Sequence, residues 1–132
     1  TGKMLTHITA TWTVPPNPTE DGLFFGIWMG IETSDNLNLI QPVNPWLGDS
    51  YSIYNEYFQW EPEYNYDSKS HAVVPGNTII GSVTYDASTN SYNSTNTCVE
   101  CDWSVSSTIK VQGDKVYDHA WLVLEKVADS CA

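Results

Sequence analysis

Alternation between apolar and polar residues constrains the fold of this chain more than any other feature of its sequence. In the segment HITATWTV, residues 7–14, every second residue is apolar, and the positions between them are threonines. A period of two places the apolar side chains on one face of a β-strand and the polar ones on the other. No window of the sequence shows sustained 3.6-residue periodicity with helix caps. The core must therefore be built from strands.

Six more segments have strand character, and turn-forming residues separate them. They are LFFGIWMGIE at 23–32, NLNLIQPV at 36–43, SIYNEYFQWEPE at 52–63, VVPGNTIIGSVTYDA at 73–87, DWSVSSTIKVQG at 102–113 and DHAWLVLEKV at 118–127. Short strands without helices predict an all-β fold, either a sandwich or a barrel, in one domain over residues 1–132. Because Pro42 has no N–H for the ladder, we expect the third strand to be broken after Gln41. We expect the polar stretch 86–98 to be a hairpin loop.

The charge of the chain narrows the range of its partners. The 132 residues include 16 acidic and five basic side chains, and the formal net charge is −11. Such a surface repels phosphates, so we expect no nucleic-acid partner and no binding to anionic membranes. No apolar run approaches the roughly 18 residues that a membrane-spanning helix needs. An acidic medium suits this composition, because many carboxylates are neutral there and repel one another less.

The cysteines and a glycosylation sequon predict a secreted protein. Cys98 and Cys101 form a C-x-x-C motif, and Cys131 lies near the end of the sequence. A zinc site would need two more ligands nearby and a redox motif would need a βαβ unit, so a structural disulfide is the better interpretation. We expect one of the first two cysteines to pair with Cys131. A glycosylation sequon at Asn93 also favours secretion. The N-terminal segment reads like a trimmed, mature terminus.

Large polar residues inside apolar strands are the candidates for chemistry. They are Glu32, Gln41, either Glu56 or Gln59, and Glu125. Glu125 shares a strand face with Trp121 and Val123, where a carboxylate is costly unless it is partnered or exposed. It is either the solvated end of a strand or an acid with a raised pKa that acts in acid–base chemistry. The chain has no G-x-S-x-G, no H-E-x-x-H and no glycine-rich phosphate loop, so we expect neither a metal nor a cofactor.

Six segments of the chain form a recognisable series: ATWTVP, GIWMGIE, LIQPV, YNEYFQWEPE, PGNTIIGSVTYDAS and HAWLVLE. In the same order, they resemble segments of the glutamic peptidases of fungi, the eqolisins. The family shows segments of the types W-V-G-I-D, I-L-Q-T-G, Y-D-A-W-Y-E-W-Y-P and A-E-[FW]-I-x-E. The resemblance covers nearly the whole chain. It implies a concanavalin-like antiparallel β-sandwich with a catalytic dyad of one glutamine and one glutamate.

Carried over by position, the resemblance implies that Gln41 and Glu125 are the dyad. It also implies that Trp28 lines the substrate cleft and that Glu32 replaces an aspartate near the site. Asn55 and Gln59 fall where the family has aspartate and glutamate. In such a dyad the carboxylate takes a proton from water, and the amide, which is neutral at every working pH, donates to the oxyanion.

Three functions follow from these observations. The first is a secreted acid endopeptidase that acts on polypeptides through Glu125 and Gln41. The second is a non-catalytic glycan- or peptide-binding module on the same scaffold, since aromatic side chains stack on sugars as well as they hold peptides. The aromatic residues expected in such a groove are Trp12, Trp28, Tyr57 and Trp60. The third is a glycan-cleaving enzyme with two facing carboxylates. Because the family continues for several strands beyond its glutamate, we also expect either a second chain that completes the sandwich or a shorter sandwich with a different edge arrangement. Open sheet edges in the shorter form would favour a homo-oligomer.

Overall fold

Ten β-strands in two sheets make up the part of the chain that the structure describes. The computed structural model describes residues 3–127, and this part of the chain contains no helix long and apolar enough to cross a membrane. The strands are β1 (His7–Thr13), β2 (Phe24–Thr33), β3 (Asn38–Trp46), β4 (Tyr51–Gln59), β5 (Tyr64–Asp67), β6 (His71–Val73), β7 (Thr78–Asp86), β8 (Ser91–Cys98), β9 (Trp103–Lys110) and β10 (Tyr117–Val127).

The two sheets are antiparallel and face each other. One has four strands in the order β1-β7-β8-β9. The other has six, in which β10-β2-β3-β4-β5 are successive neighbours and β6 pairs with the first half of β4. Buried apolar side chains from both sheets meet between them, for example Met29 and Ile40 from one sheet with Val83 and Tyr92 from the other. The predicted all-β antiparallel sandwich is confirmed.

Strand β3 runs through both of its prolines, so the predicted break after Gln41 is wrong. Because prolines supply no N–H, carbonyl groups beside β3 need other donors. The Nδ2 of Asn44 donates to the carbonyl of Ser52 at 2.8 Å. The Nδ2 of Asn96, which reaches across from β8, donates to the carbonyls of Val43 at 3.1 Å and Tyr54 at 2.9 Å. Buried asparagines thus take the place of the missing ladder bonds and keep the strand continuous.

The polar stretch at 86–98 is mostly strand, and the loop predicted there is confined to its first residues. Strand β8 pairs with β7 on one side and with β9 on the other. Ser94 and Asn96 point into the core, where the Oγ of Ser94 donates to the Oδ1 of Asn55 at 3.1 Å. Polar residues can occupy a buried strand face when the opposite sheet offers matching groups, and sequence composition does not reveal such a partner.

The disulfide joins Cys98 to Cys101, with an S–S distance of 2.05 Å. The predicted pairing with Cys131 is therefore wrong, and Cys131 itself lies outside the described residues. The turn that follows β8 brings the two cysteines to a Cα–Cα distance of 5.3 Å, which suits a disulfide.

Strand β10 is an edge of the six-stranded sheet, and its two faces differ. Trp121, Val123 and Glu125 point to the outer face, while Leu122 and Leu124 are each 73 % exposed on the other. The second chain or homo-oligomer expected at open edges stays a prediction, since nothing among residues 3–127 identifies a partner.

Candidate active site

A cleft of about 510 Å³ lies on the outer face of the six-stranded sheet. Its walls come from the neighbouring strands β10, β2, β3 and β4. The lining side chains are Trp28, Glu32, Leu39, Gln41, Glu56, Phe58, Trp60, Trp121, Val123 and Glu125. A smaller depression of about 260 Å³ adjoins it, and Trp28, Gln41, Glu56 and Glu125 line both. These four side chains therefore form the junction at the middle of the cleft.

Two tryptophan–glutamate hydrogen bonds connect β2 with β10. The Nε1 of Trp28 donates to the Oε2 of Glu125 at 2.9 Å, and the Nε1 of Trp121 donates to the Oε2 of Glu32 at 2.8 Å. Each bond joins residues on opposite strands of the same ladder. An indole N–H only donates, so it binds one carboxylate oxygen and leaves the other available to a ligand or a water.

Gln41 lies at the centre of the sheet and is only 7 % exposed. Its Nε2 donates to the Oε1 of Glu56 at 2.5 Å, across the β3–β4 ladder. Its Oε1 is buried and has no hydrogen-bond partner among residues 3–127. The small exposed part of the side chain is therefore not the carbonyl oxygen, and the Nε2 end of the amide faces Glu56, which itself lines the cleft.

Glu56 is a half-buried carboxyl without a basic partner among the side chains that line the cleft. Burial raises its pKa, and the neighbouring carboxylate of Asp67 on β5 adds to this effect. The Nδ2 of Asn65 donates to the Oε2 of Glu56 at 3.2 Å and acts in the opposite direction. Glu56 therefore holds a proton at a pH where an ordinary glutamate is already ionised.

Two glycines on β2 keep the floor of the cleft open. Trp28 projects into the cleft between Gly26 and Gly30, which share its strand face. Gly26 pairs with Glu125, and a Cβ on Gly30 would lie only 3.1 Å from the Cβ of Gln41 and 2.5 Å from the carbonyl oxygen of Ile40. A larger residue at Gly30 would therefore crowd Gln41, whereas a Cβ on Gly26 would meet only the Cγ1 of Val43, at 3.7 Å.

The structure brings four of the seven predicted site residues together in the cleft: Trp28, Glu32, Gln41 and Glu125. It does not bring in the other three, which lie on β4 with their side chains on the opposite face. Asn55 donates through Nδ2 to the carbonyls of Ser94 at 2.9 Å and Val105 at 3.2 Å, inside the core. Tyr57 donates through its hydroxyl to the Oε1 of Gln59 at 2.7 Å, and Gln59 donates to the carbonyl of Pro62 at 2.7 Å.

The physical reason is the two-residue period of β4. Odd-numbered residues of this strand point to the core and even-numbered residues point to the cleft, so Glu56, Phe58 and Trp60 contribute to the site instead. The sequence contained the signal, because alternation already separates these three residues from Asn55 and Tyr57. Among the described residues, no group of three or more His, Cys, Asp or Glu side chains is arranged to hold a metal ion.

The fold and the cleft define a β-sandwich protein with a carboxylate–amide site on the outer face of one sheet. The chain belongs to the Peptidase A4 family, whose model matches residues 1–130. The resemblance to the eqolisins is thereby confirmed. No curated protein sequence is significantly similar to this chain.

Several solved structures share the fold. Scytalido-glutamic peptidase bound to a peptide-based transition state analog has a TM-score of 0.71 and 22 % sequence identity, with 91 % of this chain and 58 % of that chain covered. SCP-B, an eqolisin in complex with the tripeptide Ala-Ile-His, has a TM-score of 0.67 and 21 % identity, with 91 % and 57 % covered. Aspergilloglutamic peptidase from Aspergillus niger has a TM-score of 0.58 and 18 % identity, with 83 % and 66 % covered. This chain thus spans less than two thirds of the length of these proteins.

Proposed function

We propose that this chain carries the active site of a secreted acid endopeptidase of the glutamic type, with Glu125 as general base and Gln41 as oxyanion donor. The observation that carries the proposal is that Gln41, from β3, and Glu125, from β10, line one cleft with Trp28 of the intervening strand between them. Membership of the Peptidase A4 family supports the same reaction class.

The first step of the proposed reaction is attack by water on the scissile carbonyl. The indole N–H of Trp28 binds the Oε2 of Glu125 and orients the carboxylate. The other oxygen then accepts a proton from a water molecule, whose oxygen forms a bond to the carbonyl carbon. General base catalysis of this kind contributes about 10²–10⁴ in rate.

The second step is collapse of the tetrahedral intermediate. The Nε2 of Gln41 has two hydrogens, of which one binds Glu56 and the other is available to the oxyanion. Loss of one oxyanion donor typically costs about 10²–10³ in rate. The protonated Glu125 then gives its proton to the leaving nitrogen as the C–N bond breaks. An acidic medium favours this transfer, and the disulfide and the net charge of −11 fit an extracellular, acidic environment.

A second candidate, non-catalytic binding of a glycan or peptide, rests on the aromatic wall of the cleft. Trp60 is 46 % exposed and Trp121 is 41 % exposed, and both line the cleft. Exposed indole faces can stack on sugar rings as well as on peptide side chains.

Digestion of a denatured protein between about pH 2.5 and 7, followed by mass spectrometry of the fragments, separates the two candidates. We expect internal peptide cleavage by the natural chain and by Glu20→Gln, which changes an exposed loop carboxylate. We expect none above background from Glu125→Gln, provided that its circular dichroism spectrum is native. Saturable sugar binding without cleavage at any pH would overturn the peptidase proposal and favour the binding module.

A further inference from the structure

Glu56 contacts the proposed oxyanion donor, although the resemblance assigns it no role. Its Oε1 accepts from Gln41, its Oε2 accepts from Asn65, and it lines both the cleft and the adjoining depression. Half-burial of a carboxyl beside another carboxylate is unfavourable. A residue kept there despite that cost is a candidate for a role in the chemistry of the site.

The Gln41 amide has two ends with different hydrogen-bonding properties. The Nε2 end only donates and the Oε1 end only accepts. An ionised Glu56 only accepts, so it can bind Nε2 but not Oε1. A protonated Glu56 can instead donate to Oε1, which would turn Nε2 toward the buried position that Oε1 occupies in the structure. With an ionised Glu56, only one orientation of the Gln41 amide is therefore compatible with this contact. With a protonated Glu56, two orientations are compatible.

We propose that Glu56 is a positioning residue that fixes the Gln41 amide with its Nε2 on the cleft side, and that protonation of Glu56 releases this constraint. The inference rests on the proposed function for its catalytic consequence, while the contact itself can be tested without any activity. No bond to substrate is involved: a proton from solvent adds to the Glu56 carboxylate, and the amide becomes free to rotate about its terminal torsion.

The groups that face Glu56 determine the pH at which this happens. Asp67 lies opposite it on β5, Tyr54 precedes it on the same face of β4, and Glu125 lies on β10 across the cleft. None of these can be positively charged, and burial and Asp67 raise the pKa of Glu56. Release of the amide is therefore expected in mild acid, above the ordinary glutamate pKa of about 4.3.

Nuclear magnetic resonance of the Gln41 side-chain amide tests the contact directly. The ¹⁵N-labelled chain is titrated from about pH 7 to 3, and the Gln41→Glu variant assigns the signal by its disappearance. We expect the two Nε2 proton signals to shift with a midpoint above about 4.3. In Glu56→Gln, a nearly isosteric change, this titration should disappear while the backbone spectrum stays native.

Asn65→Ala provides a graded second variant. Because the Asn65 amide stabilises the ionised form of Glu56, its removal should move the midpoint to higher pH without touching Gln41. Asn93→Ala, on an exposed position of β8, should leave the midpoint unchanged. A Gln41 amide that does not titrate, or that titrates identically in Glu56→Gln, would overturn the inference.

Kinetics then separate this inference from the proposed function. In Glu56→Gln, kcat on a peptide substrate should fall by less than the roughly hundredfold that loss of an oxyanion donor costs, with KM nearly unchanged. The acid limb of its kcat/KM profile should move to lower pH, because one of the required ionisations is gone. If the acid limb and the kcat of Glu56→Gln both equal those of the natural chain, the positioning role is refuted. Absence of peptidase activity in the natural chain would refute the proposed function. The titration of the Gln41 amide would still show whether Glu56 holds that amide in place.

Discussion

Gly30→Ala should lower both stability and activity more than Gly26→Ala, the same change at the other glycine of β2. The added Cβ would lie 2.5 Å from the carbonyl oxygen of Ile40 and 3.3 Å from the Cα of Gln41. Both are main-chain atoms of β3, so the contact cannot be relieved by a rotamer change. The two central strands of the sheet must move apart at the residue that holds the proposed oxyanion donor.

The size of the effect follows from the overlap. Ordinary contact of a Cβ with another heavy atom begins at about 3.4 Å, so the strands must separate by roughly 0.9 Å to relieve the 2.5 Å approach. Overpacking of this kind typically costs about 1–3 kcal/mol of unfolding free energy. Misplacement of a catalytic group by about 1 Å costs up to about 10²-fold in rate, so kcat should fall by tenfold or more.

Gly26→Ala is the matched control, because a Cβ there would meet only the Cγ1 of Val43, at 3.7 Å. Urea unfolding followed by tryptophan fluorescence gives the stability of both variants, and peptide hydrolysis gives their kcat. We expect Gly26→Ala to be neutral or slightly stabilising, since alanine loses less chain entropy than glycine on folding. Equal stability and equal kcat for the two variants would refute the argument that Gly30 is required for the approach of β2 to β3.

Two further predictions concern residues outside the cleft. Asn55→Ala should lower the unfolding free energy, measured by urea denaturation, by about 1–3 kcal/mol, because it removes the donor to the carbonyls of Ser94 and Val105. The kcat per folded molecule should not change. A loss of kcat would show that Asn55 contributes to the active site. A hydrogen bond from Lys115, with a second from Thr33, lowers the pKa of Asp35 to about 2. That pair stabilises the fold above about pH 4 and loses its contribution as the pH falls toward 2. Lys115→Met should therefore cost less than about 1 kcal/mol near pH 7, since the pair is partly exposed, and clearly less at pH 2, where about half of Asp35 is protonated. A cost at pH 2 as large as that at pH 7 would contradict this assignment.

The alternation of β1 and β4 was enough to predict an all-β fold, because a period of two reports directly which face of a strand is buried. The same alternation separates Glu56 from Asn55 and Tyr57. The resemblance selected Asn55 and Gln59, and the hypothesis of an aromatic binding groove selected Tyr57. All three have side chains on the face of β4 opposite the cleft. Alternation states which face of a strand a side chain occupies, and a match by position alone does not.

Strands β3 and β8 could not be predicted in the same way. The continuity of β3 past Pro42 depends on donors from Asn44 and Asn96, and Asn96 is more than 50 residues away in sequence. The strand character of β8 depends on buried partners for Ser94 in the opposite sheet. Both features depend on polar contacts between residues far apart in sequence, and local composition and periodicity do not reveal such contacts.

The measurement that tests the central claim most directly is kcat for a fluorogenic peptide with Glu125→Gln and Glu32→Gln side by side. Both carboxylates lie in the cleft and accept from a tryptophan indole across the same pair of strands. If Glu125 is the general base, its variant should lose at least about 10²-fold in kcat, while Glu32→Gln loses less than about tenfold. Equal losses in the two variants, or a larger loss for Glu32→Gln, would contradict the assignment of the base to Glu125.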